Sequence, residues 1–203
     1  MLTVNKKKFN IFFENYFIQL QNTLSKIEKK YIYKAAQIIE KTIKSKNTIY
    51  VCGNGGSQSI ANHYVCDYFK VLSYQTNLKV KINSLCSNSD LISAIANDIS
   101  YDDIFLYQAE RVLKKGDLLI LISSSGNSKN IKKVLNFSKS KGVKSIGFCS
   151  FDGGYLKENC TIPIYSKVGN YGISEDVNQI LMHSIMHYIK LRNLKQNVKT
   201  PLI

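Results

Sequence analysis

Five side chains able to bind a metal or move protons recur at four-residue steps in two separate parts of the sequence. They are His63, Asp67, Gln179, His183 and His187. Residues four apart share one face of a helix, so each part forms a stripe if its segment is helical. Imidazole, carboxylate and amide groups together suit a divalent metal, above all zinc. The alternative is that each histidine is a satisfied core or interface residue, and spacing alone leaves both open.

A glycine-rich turn precedes the first stripe. The segment CGNGGSQS follows the β-branched run NTIYVCG and contains Asn54, Gly55, Gly56 and Ser57. Glycines allow positive φ and close approach of a ligand, and the helix that follows offers free N–H groups. The turn therefore suits an anion or a polar sugar, although packing alone explains many such turns in parallel-sheet proteins.

A hydroxyl-rich loop, ISSSGNSKN, follows the apolar run DLLIL. Its serines are Ser123, Ser124, Ser125 and Ser128. One serine is enough to cap a helix, whereas this group can surround a terminal phosphate with neutral donors. The spacing of a Walker nucleotide-binding loop is absent. We predict a phosphate site here, with helix capping as the alternative.

Both turns belong to an alternation of strands and helices. Strands are predicted at 47–53, 78–85, 117–123, 144–150 and 161–166. Helical patterns run from the glycine turn to about residue 69 and then over 88–96, 103–114, 127–141 and 174–194. This alternation predicts an α/β fold, a three-layer sandwich with a mainly parallel sheet covered on both faces. Ligands of such folds bind at the carboxyl ends of the strands, where both turns lie.

The first 46 residues precede this alternation and have a helical pattern. Apolar residues at three- and four-residue steps are Phe9, Phe12, Phe13, Tyr16, Phe17, Leu20, Leu24 and Ile27. Such a stripe predicts an amphipathic helix, and a second helix is predicted at about 31–45. Because the stripe is so aromatic, we expect it to pack between subunits. We expect one domain over 1–203, with 1–46 serving oligomer packing, 47–194 forming the α/β core and 195–203 a loose tail.

Composition narrows the range of functions. The formal charge is +14, yet only Arg111 and Arg192 are arginines. Arginine dominates base readout and bidentate phosphate binding, so we expect a solvated basic surface and no nucleic-acid partner. The five cysteines form no C-x-x-C pair, which indicates a reducing cytoplasm rather than a disulfide framework. No apolar segment is long enough to cross a membrane, so we expect no membrane partner.

The two turns and the chain between them resemble the sugar isomerase (SIS) domain family, most closely the phosphoheptose isomerases. The likeness is carried by GNGGS at 53–57, AIANDISYDDIF at 94–105, SSSGNS at 123–128 and DGG at 152–154, and it extends over nearly the whole chain. The resemblance implies a flavodoxin-like, five-stranded SIS fold and a serine loop that holds a sugar phosphate. It also implies a homo-oligomer, typically a tetramer, with sites shared between subunits.

The resemblance further implies roles for single residues. The implied zinc ligands are His63, Asp67, Gln179 and His187, whereas His183 is not part of the family set. Asp67 would be the base and His187 the acid. The implied substrate contacts are Asn54, Gly55, Gly56, Ser57, Asn97, Asp98, Ser123, Ser124, Ser125, Ser128 and Gln179. Asp67 stands where the family has glutamate, and misplacing a catalytic group by about 1 Å can cost about a hundredfold in rate.

Glu175 and Asp176 stand just before the last stripe. The simple interpretation is that they favour the positive N-terminal end of the last helix, with Ser174 as its N-cap. Alternatively, Glu175 supplies the carboxylate that the shorter Asp67 delivers poorly, or marks a different sugar.

Together these residues predict a cytoplasmic, zinc-dependent aldose-ketose isomerase. Its substrate would be a phosphorylated seven-carbon sugar, sedoheptulose 7-phosphate, converted to D-glycero-D-manno-heptose 7-phosphate for surface polysaccharide. Two alternatives stay open: an isomerase of another phosphosugar, and a non-catalytic SIS scaffold protein. The histidines argue against the scaffold, because a scaffold needs no metal ligands.

Overall fold

A parallel sheet forms the centre of the protein. In the computed structural model, which describes residues 6–195, the strands are β1 (Ile49–Gly53), β2 (Ile82–Ser84), β3 (Leu118–Ile122), β4 (Lys144–Cys149) and β5 (Ile162–Tyr165). Their order is β2-β1-β3-β4-β5, and all neighbouring pairs are parallel. The predicted five-stranded α/β sheet is confirmed.

Helices cover both faces of this sheet. They are α1 (Lys6–Ser25), α2 (Lys29–Lys44), α3 (Gly56–Asp67), α4 (Ser73–Gln75), α5 (Ser89–Asp98), α6 (Leu106–Val112), α7 (Lys129–Ser140), α8 (Gly154–Asn159) and α9 (Tyr171–Arg192). A π-helical turn, Tyr68–Leu72, joins α3 to α4, and a 3-10 turn, Tyr101–Asp103, precedes α6. Helices α2 and α3 pack against one face, and α9 packs against both of them. Helices α7 and α8 pack against the other face, and α6 packs against α7.

The core lies between the sheet and these helices. Every residue of β1 and β3 is buried, as expected for central parallel strands covered on both sides. Helix α2 buries Ala35, Ala36, Ile39 and Ile43, a spacing that places them on one stripe of the helix.

Helix α1 is packed along only part of its surface. Tyr16, Leu20 and Leu24 lie against the core. Four aromatic side chains on the same helix are at least half exposed: Phe9, Phe12, Phe13 and Phe17. The expectation that this aromatic face packs between subunits stays a prediction. Within residues 6–195, no helix has the length and apolar character of a membrane span.

Two predicted elements differ from the structure. The predicted strand 78–85 is reduced to β2, because β1 begins at Ile49 and pairs only with Ile82–Ser84. Helix α8 was not predicted, since it is short and begins at Gly154, and glycine is a poor helix former. Of the predicted tail, residues 196–203 lie outside the described part of the chain.

The prediction of Ser174 as the N-cap of the last helix is wrong. Helix α9 begins at Tyr171, and the Asn170 side chain accepts the capping hydrogen bond from the N–H of Ile173. Ser174 is therefore already within the helix, where its side chain is fully buried.

Candidate active site

The glycine turn and the serine loop lie side by side at the carboxyl edge of the sheet. Strands β1 and β3 are neighbours, and their last residues, Gly53 and Ile122, are paired. The two connections therefore start from the same level of the sheet. Between them and the start of α9 lies a cavity of about 150 Å³, lined by Asn54, Ser57, Ile122, Ser123, Ser124, Ser125, Ser128, Tyr171 and Glu175. The structure thus brings together most of the residues predicted to bind a sugar phosphate.

Three of the loop serines keep hydroxyls that a ligand can use. Ser128 precedes α7, but its side chain makes no capping hydrogen bond. Its Oγ lies 3.4 Å from the Oγ of Ser123, and Ser125 Oγ accepts a hydrogen bond from the N–H of Asn127 at 3.2 Å. Ser124 differs, because its hydroxyl belongs to a buried chain of hydroxyls that runs through Ser174 to Ser150. The hydroxyls of Ser123, Ser125 and Ser128 lie outside this chain, and a hydroxyl can donate to a phosphate oxygen.

Gly126 allows the serine loop to pack against the segment that begins α8. Its φ is +65°, and a Cβ there would overlap the carbonyl of Gly153. The carbonyl of Gly126 accepts a hydrogen bond from the N–H of Leu156 at 3.2 Å, and Asn127 Oδ1 accepts one from the N–H of Tyr155 at 3.2 Å. These contacts hold the serine loop against the start of α8.

Asn54 in the glycine turn is held by two neighbours. The amides of Asn54 and Asn130 exchange two hydrogen bonds of 3.0 Å. The hydroxyl of Tyr101 donates to Asn54 Oδ1 at 3.1 Å. Sequence reasoning missed Asn130 and Tyr101, since they meet Asn54 only where separate connections of the sheet converge.

Helices α3 and α9 bring His63, Asp67 and His183 together. Asp67 Oδ1 lies 3.3 Å from His63 Nε2, and Asp67 Oδ2 lies 3.1 Å from His183 Nε2. One donor atom from each residue lies within 4.8 Å of the others. A single carboxylate therefore bridges two imidazoles of the same chain.

Gln179, on α9, contacts both histidines of this cluster. Its Nε2 lies 2.9 Å from His63 Nδ1 and 3.1 Å from His183 Nε2. A half-turn of the amide presents its oxygen to the same place. Gln179 faces Nδ1 of His63, whereas Asp67 faces its Nε2, so one ion can use only one of these two contacts. The distances of 3.3 and 3.1 Å from Asp67 to His63 Nε2 and His183 Nε2 match the separation of neighbouring ligands of a tetrahedral zinc ion, whose bonds are about 2.0–2.2 Å long. The donor set of the cluster therefore fits a metal ion.

His187 lies one turn beyond His183 on α9 and is not among the clustered donors of the described residues. Its Nδ1 is buried and has no hydrogen-bond partner within residues 6–195. Burial, followed by the charges of Lys190 and His183, lowers the pKa of His187, while Asp67 acts in the opposite direction. The environment of His187 therefore favours its neutral form. Its predicted place in a metal shell stays a prediction.

A family model described as SIS domain matches residues 13–150. The phosphoheptose isomerase of Aliarcobacter butzleri is 33% identical over 177 residues, which cover 85% of this chain and 93% of the relative. That of Clostridium acetobutylicum is 34% identical over 154 residues, which cover 72% and 78%. The chain belongs to the SIS-domain phosphoheptose isomerase family.

Solved phosphoheptose isomerases share its fold. The structure from Neisseria gonorrhoeae has a TM-score of 0.83 at 21% identity and covers 92% of this chain and 98% of its own. The structure from Francisella tularensis has a TM-score of 0.80 at 23% identity, with coverage of 91% and 97%. The fold of the chain over most of its length is therefore that of these structures.

Of the other polar residues singled out from the sequence, Asn97, Asp98 and Asp176 lie away from the cavity. Asn97 and Asp98 end α5, are exposed and bond to each other at 2.8 Å, outside the lining of the serine cavity. Asp176 accepts a hydrogen bond of 2.6 Å from the Tyr16 hydroxyl on α1. Glu175, by contrast, lines the cavity itself. It lies beyond the first turn of α9, the part of a helix on which the dipole acts most strongly.

Proposed function

We propose that the protein interconverts sedoheptulose 7-phosphate and D-glycero-D-manno-heptose 7-phosphate, in support of surface polysaccharide synthesis. The observation that carries this proposal is the arrangement along α9. Glu175 lines the cavity beside the serine loop. One turn further along α9, Gln179 contacts His63, which belongs to the cluster with Asp67 and His183. A sugar phosphate with its carbonyl at the opposite end needs one site for the phosphate and a second site, along the same direction, for the carbonyl. Relatives named phosphoheptose isomerase support the choice of sugar.

The reaction moves one hydrogen between adjacent carbons and one between their oxygens. A base takes a proton from the carbon next to the carbonyl, and an acid protonates the carbonyl oxygen to give an enediol. The acid then recovers its proton from the other enediol hydroxyl, and the base returns its proton to the former carbonyl carbon. We assign the base to Asp67 and the acid to His187. A neutral imidazole still carries one N–H and can donate it. Charge and atoms balance, because each group recovers the proton that it gave or releases the one that it took.

We assign one zinc ion per subunit to His63, Asp67 and Gln179, with a histidine of α9 as the fourth ligand. When bound, zinc polarises the sugar oxygens. The position of His183 beside Asp67 favours His183 over His187 as the fourth ligand, although the family resemblance implies His187. His187 is then free to act on the sugar.

At the other end, Ser123, Ser125 and Ser128 hold the phosphate and Asn54 orients the sugar chain. The start of α7 adds N–H groups with partial positive charge. We further propose a cytoplasmic homotetramer in which the exposed aromatic face of α1 forms a subunit contact.

Turnover on a panel of seven- and six-carbon ketose phosphates tests the proposal. We expect the wild type to prefer sedoheptulose 7-phosphate, Ser125→Ala to raise KM about tenfold, and Asp67→Asn to lose at least about a hundredfold in kcat. Ser140→Ala, at the exposed end of α7, is the control. Full turnover by both site variants would contradict the site. Preference for another sugar would favour the alternative substrate, and a zinc-free protein without turnover would favour a scaffold.

A further inference from the structure

The carboxylate of Glu175 occupies the sugar-phosphate cavity without a partner. Glu175 stands in the second turn of α9, is half-buried and lines the cavity together with the serine loop. Within residues 6–195 its carboxylate makes no hydrogen bond or ion pair. A half-buried carboxylate gains stability from hydrogen bonds to its oxygens, so this one is placed to accept them from a ligand.

Gly56 provides the space for that carboxylate. A Cβ at Gly56 would overlap both carboxylate oxygens of Glu175. Gly56 does not have a positive φ, so its backbone conformation does not require glycine. The missing side chain serves the approach of Glu175 to the first turn of α3, whose partial positive charge favours an anion.

Two negative groups in so small a cavity restrict what can bind there. A phosphate held by Ser123, Ser125 and Ser128 would lie close to Glu175 and be repelled by it. An ionised carboxylate can only accept hydrogen bonds. A ligand that places hydroxyl groups beside its phosphate satisfies both sets of groups, whereas inorganic phosphate satisfies only the serines.

The position of Glu175 also separates it from the reacting carbons. His63 lies about two helical turns beyond Gly56 on α3, or about 10 Å along the helix axis, and Asp67 lies one turn further. If the carbonyl end of the sugar lies at the cluster of His63, Asp67 and His183, then Glu175 faces the part of the chain next to the phosphate. This favours a role in selecting the sugar over a role as the base.

We propose that Glu175 accepts hydrogen bonds from the sugar hydroxyls nearest the phosphate and thereby selects polyhydroxy phosphates over simple phosphates. This inference rests on the proposed function for the identity of the sugar. A site built to bond a substrate hydroxyl strongly rejects a ligand that lacks it, because its buried polar groups are left unpaired.

The test is a pair of binding constants measured by calorimetry on the full-length protein, one for sedoheptulose 7-phosphate and one for inorganic phosphate. In Glu175→Gln we expect binding of the sugar phosphate to weaken about tenfold and binding of inorganic phosphate to tighten at least about threefold, because a like charge is removed. Glu158→Gln removes the same charge from an exposed position on α8 and should leave both constants unchanged.

Glu175→Ala provides a second variant, and circular dichroism checks that both are folded. An unchanged ratio of the two binding constants in both variants would overturn the role of Glu175, even if the wild type turns over the sugar. The inorganic-phosphate measurement needs no sugar. Suppose that the wild type fails to isomerise sedoheptulose 7-phosphate while Glu175→Gln still binds inorganic phosphate more tightly. That result contradicts the proposed function but supports a Glu175 carboxylate beside the phosphate site. Unchanged binding of inorganic phosphate would overturn the proposed place of Glu175.

Discussion

The Ser174 hydroxyl on α9 donates a hydrogen bond of 2.8 Å to the Ser124 hydroxyl in the serine loop. The chain of hydroxyls continues to Ser150 at 2.7 Å and from there to Ser166 at 2.6 Å. All four side chains are buried. The network ties the ends of β3, β4 and β5 to α9, which carries His183. It therefore fixes the position of the serine loop relative to the cluster of His63, Asp67, Gln179 and His183.

Replacing Ser174 with alanine should destabilise the protein by about 1–3 kcal/mol, because buried hydroxyls of Ser124 and Ser150 lose a partner. Urea unfolding measures this loss. Ser140→Ala removes an exposed hydroxyl on α7 and should change the free energy of unfolding by less than about 0.5 kcal/mol. Equal effects of the two substitutions on the free energy of unfolding would show that the buried hydroxyl network does not stabilise the protein.

Removing His183 should abolish zinc binding more completely than removing His187. His183 Nε2 lies 3.1 Å from Asp67 Oδ2, whereas His187 is outside the cluster of donors in the described chain. We expect His183→Ala to purify with little zinc, and His187→Ala to keep zinc while losing turnover. Elemental analysis of the purified variants gives the metal content, with Ser184→Ala, an exposed site on the same helix, as control. The reverse pattern would place His187 in the metal shell.

The contact between Tyr16 and Asp176 should make the docking of α1 sensitive to alkali. The hydrogen bond to Asp176, then burial and the charges of Asp176 and Glu175, raise the pKa of Tyr16 to about 12, above its unfolded value of about 10. A raised pKa means that the stabilisation is complete below about pH 10 and is lost as the pH rises towards 12. The difference in Tm between wild type and Tyr16→Phe should therefore shrink over that interval.

Thermal unfolding followed by circular dichroism at several pH values measures this difference. Tyr74→Phe is the control, since Tyr74 is 76% exposed and its hydroxyl meets no carboxylate in residues 6–195. A Tyr16→Phe difference that is the same at pH 9 and pH 12 would argue against the contact.

A charge on the aromatic face of α1 should disrupt the oligomer. Phe12 is 66% exposed, and burying such a ring between subunits is favourable in proportion to its apolar area. We expect Phe12→Lys to lower the mass measured by light scattering after size exclusion, and Asn10→Lys, an exposed polar position on the same helix, to leave it unchanged. A tetramer that persists in Phe12→Lys would place the subunit contact elsewhere.

Local patterns predicted the sheet well, because central parallel strands such as β3 are short runs of wholly buried apolar residues. They predicted the edge strand β2 poorly, because its length depends on where β1 begins beside it. The Ser174 prediction failed for a similar reason. A serine followed by acidic residues is a good local capping signal, but the strands around it bury Ser174 among hydroxyls that come from distant loops.

The amino-acid sequence by itself determined the α/β alternation, the serine-rich and glycine-rich turns, and the stripes of histidines on two helices. These follow from chain-local rules, since side chains four residues apart share a helix face in any surroundings. Only the tertiary structure decided that His183 meets Asp67 and that Glu175 enters the cavity. Both contacts depend on how far α3 and α9 are shifted along each other's axes. This offset is set by contacts such as the 3.2 Å hydrogen bond from the buried Tyr68 hydroxyl to the carbonyl of Met182. Spacing along one helix carries no information about its offset from another.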